Sequence, residues 1–161
     1  MTTPTPPATD APAAGMPITV GAQYIKDFSF ESPSVPQIFA PTQAQPQIEM
    51  GVNLQTRGLS PNNYEVLLML KLDTKIEGKT AFIAELTYGG AFSLPPMPEE
   101  QLKLFLLVEC PRILFPFARS IMTSAIREGG FPFVMINPVD FMALYVANKD
   151  NIGTMPAAGA A

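Results

Sequence analysis

The chain has 161 residues, 47% hydrophobic and only 15% charged, with a net charge of −4 and no histidine. Its length suits one domain of ordinary size. The acidic balance, with ten Lys and Arg scattered without a cluster, excludes a phosphate-binding face and disfavours an anionic membrane surface. The missing histidine removes Ser-His-Asp and Cys-His catalysis, His metal sites and His proton switches.

Residues 1–17 are Pro, Thr and Ala with almost no bulky apolar side chain. Such a stretch cannot offset its ordering entropy and is expected to be disordered. It lacks the charged and apolar regions of a secretory signal. A folded domain is expected over 18–148, followed by a flexible tail at 149–161. No run reaches the ~18 apolar residues that span a bilayer.

Four segments alternate with period two, the signature of half-buried strands. The first, Val20–Glu31, puts Val20, Ala22, Tyr24, Phe28 and Phe30 on one face, with Asp27 and Glu31 opposite. In Ile48–Leu54, the positions Ile48, Met50, Val52 and Leu54 are apolar. The third, Tyr64–Ile76, sets Val66, Leu68, Leu70 and Leu72 against Glu65, Leu67, Met69, Lys71 and Asp73. In the fourth, Lys79–Tyr88, Phe82, Ala84, Leu86 and Tyr88 face inward while Ile83 and Glu85 face outward.

Glu77-Gly78 reads as a tight hairpin turn, and Leu59 to Asn63 as a second turn. Between Glu31 and Gln47, four prolines mark a long crossing loop rather than a hairpin. Gly89-Gly90 reads as a turn that ends the fourth strand.

Pro98-Glu99-Glu100 reads as a first helical turn. The helix should continue to Glu128, kinked or broken at Pro111 and Pro116. A second helix should start at Asn137-Pro138-Val139-Asp140, with Asn137 as its cap, and run to about Asn148. The fold class is therefore α+β: a four-stranded antiparallel, Greek-key-like sheet with a long helix and a short C-terminal helix on one face.

The long helix is apolar on more than one side, which points to a homo-oligomer. Few charges on a small globule leave apolar surface that other copies cover or a ligand fills. Asp27, Glu31, Ile83 and Glu85 share one outward sheet face; spacing alone fits an ordinary solvated face better than a docking patch. Nine Met and eleven Phe fit gap-filling in the core, or an adaptable binding surface. The lone Cys110 forms no intrachain disulfide, which fits a reducing compartment. It reads as a small buried residue rather than a nucleophile. No enzyme arrangement, cofactor motif or metal set is recognisable.

YIKDFSFESP (24–33), TAFIAELTYGGAFS (80–93), CPRILFPFAR (110–119) and FPFVMINPVDF (131–141) resemble the SecB family of bacterial export chaperones. The Pro-rich start and the non-acidic, alanine-rich end depart from the family pattern.

The resemblance implies a cytoplasmic homotetramer, a dimer of dimers, with the sheets outside and the long helices between. It implies a holding chaperone, not an enzyme, that needs no cofactor. Such a chaperone binds unfolded secretory precursors in apolar grooves and delivers them to the SecA ATPase. No nucleic acid or membrane insertion is expected. By motif, the resemblance carries SecA docking to Asp27, Glu31, Ile83 and Glu85; the zinc of SecA's basic docking tail belongs to SecA. For the client groove, Ile48, Met50 and Val52 lead, followed by Phe39, Phe141 and Leu144. The rival readings are a closed-barrel carrier of a small apolar ligand and a purely structural oligomer.

Overall fold

In the computed structural model, residues 17–132 and 134–148 are described; the N-terminal extension and C-terminal tail lie outside them. The chain forms β1 (Thr19–Glu31), β2 (Gln47–Ser60), β3 (Asn63–Ile76) and β4 (Lys79–Ser93). Helices α1 (Glu99–Leu104), α2 (Cys110–Glu128) and α3 (Phe141–Ala147) follow. The sheet order is β1-β4-β3-β2, every neighbour antiparallel. Consecutive strands β1 and β2 occupy opposite edges, so residues 32–46 form the expected crossing loop.

The β3–β4 turn places Glu77 and Gly78 at φ 52° and 76°, the paired left-handed geometry of a two-residue hairpin. Asn62 makes the other turn at φ 63°. Register makes Val66, Leu68, Leu70 and Leu72 share the inner face with Phe82, Ala84, Leu86 and Phe92, and all are buried. Against them packs an every-fourth-residue stripe of α2: Cys110, Leu114, Ala118, Met122 and Ile126.

Several local expectations are corrected. Gly89 and Gly90 end no strand; β4 runs on to Ser93. A Cβ on Gly89 would meet Tyr24 at 2.7 Å and Leu67 at 2.8 Å, and one on Gly90 would meet Phe92 and Leu114 as closely. These positions lack side chains because neighbouring side chains need the space.

Helical conformation is unbroken from Glu99 to Glu128. Before Pro111, residues Phe105–Glu109 widen into a π turn, where the Cys110 N–H donates to the Phe105 carbonyl. Such a turn accommodates a proline that cannot make the ordinary bond. Pro116 sits on the exposed side of α2, and its missing N–H removes one helical bond without breaking the helix. Asp140, not Asn137, caps α3: its carboxylate accepts from the Ala143 N–H at 3.0 Å.

The strand alternation fails in the middle of β1. Register shifts occur in β1 between Val20 and Gln23 and between Ile25 and Asp27. The second bulge turns Tyr24 outward, opposite Gly89, and gives Ile25 the inner position opposite Tyr88.

Candidate functional site: an apolar groove and an acidic sheet face

The groove lies where the sheet edge meets the C-terminal helix. Alternation on β2 turns Ile48, Met50 and Val52 to the inner face, opposite Thr74, Leu72 and Leu70. As an edge strand, β2 has no further strand to cover these side chains, and Ile48 and Met50 stay exposed. Facing them are the irregular segment 134–140 and, from α3, Ala143, Leu144 and Ala147. Between these walls is an open space of about 720 Å³. Among the described residues, Asn137 and Asp140 are the only polar ones lining it. Its chemistry is therefore burial of apolar side chains without a fixed polar pattern, which gives adaptable binding.

The structure brings four expected groove residues together: Ile48, Met50, Val52 and Leu144. Phe141 is corrected. It is 1% exposed and packs edge-on against Phe115 at 6.0 Å, so it belongs to the core beneath α3. Phe39 does not line this space. It is 47% exposed and ends a chain of rings through Phe131, Phe82 and Phe30, with centroids 5.1, 4.8 and 5.6 Å apart. Register links the two regions, since Phe82 pairs with Thr74 and Thr74 with Ile48. Sequence reasoning missed the far wall, above all Met135, which is 72% exposed. FPFVMINPVDF is apolar, but its irregular backbone has no period that assigns a face.

The outer face is different. Glu31 pairs with Ile83, Ile83 with Asp73, and Asp73 with Glu49, a row across all four strands. The next row holds Ser29, Glu85, Lys71 and Gly51, with Lys71 Nζ 3.2 Å from a Glu85 oxygen. Asp27 lies beyond it, opposite Thr87. Asp27, Glu31, Ile83 and Glu85 therefore share the outward face, as alternation predicted. The row makes an anionic strip with an aliphatic centre.

Further along the same face is Glu65, 3% exposed. It accepts from the Tyr24 hydroxyl at 2.6 Å and from Lys26 at 3.1 Å, and pairs with Arg57 Nε at 2.6 Å. Burial works to raise its pKa, but the Tyr24 hydroxyl, Lys26 and Arg57 outweigh it and hold the carboxyl below its ordinary range. Burial, then the bond to Glu65, pushes Tyr24 up to about 12. Glu65 thus clamps the bulged stretch of β1 to β3. The period-two reading placed Tyr24 on the opposite face and could not show this. Cys110 is buried, and burial followed by Glu109 pushes its thiol up to about 12, which leaves no thiolate nucleophile.

Among the described residues, no group of three or more Cys, Asp or Glu is placed to hold a metal ion. No described helix is long and apolar enough to cross a membrane. The sheet is open, with β1 and β2 at its edges, so the closed-barrel carrier does not fit.

Comparisons with known proteins agree with this arrangement. A chain from Granulibacter bethesdensis, a protein-export protein SecB, is 47% identical over 150 residues, covering 88% of each chain. One of the same name from Azorhizobium caulinodans is 46% identical, over 85% of this chain and 88% of its own. Among solved structures, a Mycobacterium tuberculosis SecB-like chaperone in complex with a ChAD peptide from the HigA1 antitoxin superposes with a TM-score of 0.64. It is 9% identical, covers 76% of this chain and 90% of its own, and speaks to the fold alone. The family model described as preprotein translocase subunit SecB matches residues 11–151, and the chain belongs to the SecB family.

Proposed function

We propose that this protein-export chaperone holds non-native precursor polypeptide in the groove at the β2 edge and delivers it to the SecA ATPase from its acidic sheet face. The observation that carries the reading is the groove itself: Ile48, Met50 and Val52 on one wall, Leu144 on the other, almost no fixed polar group between.

An extended client gains about 25 cal/mol for each Å² of apolar surface it buries. Each contact is small, so binding needs a long unfolded segment and passes over folded proteins. Fast folders bury their apolar segments first, and slow ones are caught. Holding the unfolded form also draws the client's folding equilibrium toward it. The chaperone does this without catalysis and without a cofactor, in the bacterial cytoplasm.

SecA docking belongs to Asp27, Glu31, Ile83 and Glu85. Their acids attract a basic tail and Ile83 gives it an apolar anchor. This face points away from the groove, so motor and client bind together before transfer.

The assembly is a dimer of dimers built through the helices. A second α2 stripe supports it: Ile113, Phe117 and Ile121 follow one another every four residues, and Phe117 is 50% exposed.

A native mass spectrum tests the function directly, taken alone and after mixing with a chemically unfolded, slow-folding polypeptide. The expected result is a tetramer that gains the mass of one unfolded chain and ignores the same chain when folded. A tetramer that gains nothing would leave a purely structural oligomer as the better reading.

A further inference from the structure

Among the described residues are six methionines, and of these only Met50 and Met135 are exposed, at 41% and 72%. Both line the groove, Met50 from the β2 wall and Met135 from the segment opposite. Met69, Met97 and Met142 are partly buried, and Met122 is fully buried. Cys110, the remaining sulfur, is buried too. The two most accessible sulfur side chains of the described residues therefore share one space.

A thioether suits an adaptable apolar wall because it is flexible and polarisable. The same soft lone pairs make it a nucleophile toward a hydroperoxide. The sulfur attacks one peroxide oxygen, an S–O bond forms and the O–O bond breaks. The sulfur gives up an electron pair, the peroxide is reduced, and the proton of the transferred oxygen leaves with the departing hydroxide as water. The product is methionine sulfoxide, polar where the thioether was apolar.

We infer that Met50 and Met135 form an oxidation site, where a hydroperoxide turns two groove thioethers into sulfoxides and loosens the groove's hold on client polypeptide, a consequence that rests on the groove being the client site. The sulfoxide oxygen is a hydrogen-bond acceptor. An apolar client side chain laid over it removes its water and brings no donor. The step is reversible: a dithiol-dependent sulfoxide reductase takes the oxygen off as water and leaves the dithiol as a disulfide.

The test treats the folded protein with dilute hydrogen peroxide, locates the sulfoxides by peptide mass spectrometry and titrates each sample with a labelled, permanently unfolded polypeptide. Melting curves check that each sample stays folded. Met50 and Met135 should oxidise before Met69 and Met122, and client affinity should fall about 5–100-fold as they do. Methionine sulfoxide reductase with dithiothreitol should restore it. The double variant Met50→Leu, Met135→Leu, compared with itself before and after peroxide, should show no such fall. Oxidised protein that binds as tightly as before, or a Leu variant that loses as much to peroxide, would overturn the inference. Untreated Met50→Glu separates the two readings. If it binds client as well as the unaltered chain, the groove reading has failed; if it loses binding while oxidation changes nothing, only the oxidation site is wrong.

Discussion

The two faces of the sheet come from the same strands yet carry opposite chemistry. Inward positions of β2 are Ile48, Met50 and Val52; alternating with them on the outer face are Glu49, Gly51 and Asn53. On β4, Ile83 and Glu85 look out while Phe82, Ala84 and Leu86 look in. Alternation thus lets one thin layer hold an apolar surface on one side and a charged one on the other. The separation teaches that surfaces of opposite chemistry can be altered one at a time: on the proposed function, client and motor do not compete for one surface, and single substitutions should disturb one face without the other.

The largest effect should fall on neither surface. Phe141→Ala removes a fully buried ring and should cost about 3–5 kcal/mol of stability. Client affinity of the molecules that remain folded should stay unchanged, which thermal melting and a client titration would check together. A loss of affinity at full stability would return Phe141 to the groove.

Next comes charge reversal on the outer face. Glu31→Lys with Glu85→Lys should weaken docking of a SecA tail peptide by about 2–3 kcal/mol, roughly 30–150-fold, since like charges meet. Added salt should narrow the difference, and client binding should be untouched. Calorimetry at two ionic strengths would show it.

A smaller effect is expected at the clamp between the edge strand and the sheet. Glu65→Gln should cost about 1.5–2 kcal/mol, the scale of a hydrogen bond to a charged group. Because the folded carboxyl titrates below its ordinary range, its stabilisation is complete above pH ~4.3 and fades as pH falls below that. The Gln variant should therefore lose less stability on acidification, as melting curves between neutral and acidic pH would reveal.

The smallest single effect belongs to the groove. Met50→Ala should weaken client binding by about 1 kcal/mol, roughly fivefold, since each apolar contact carries a small share. Ile48→Ala should add a similar amount, read by fluorescence titration, with docking of the SecA peptide unchanged.

How legible these features were in the sequence follows from the physics of each element. Period two is strict enough that Asp27, Glu31, Ile83 and Glu85 were assigned to one face correctly, as were Ile48, Met50 and Val52. Tyr24 was not, because a bulge adds a residue that a periodic pattern does not register. Gly89-Gly90 carries the composition of a turn, and the tight approach of Tyr24, Leu67, Phe92 and Leu114 that requires glycine is a tertiary fact. Pro111 predicts a break only if the helix must stay α; a π turn removes that condition. Phe141 shared its short helix with Leu144, yet one turns to the core and the other to the groove. In seven residues, too few turns repeat to reveal which.

The central claim, that client polypeptide lies along the β2 edge, is tested most directly by hydrogen exchange. The protein would be measured alone and saturated with a permanently unfolded polypeptide. Slowed exchange over Gln47–Leu54 and residues 134–147, with β1 and β4 unchanged, is the predicted result. Slowing confined to β1 and β4, or none at saturation, would contradict it.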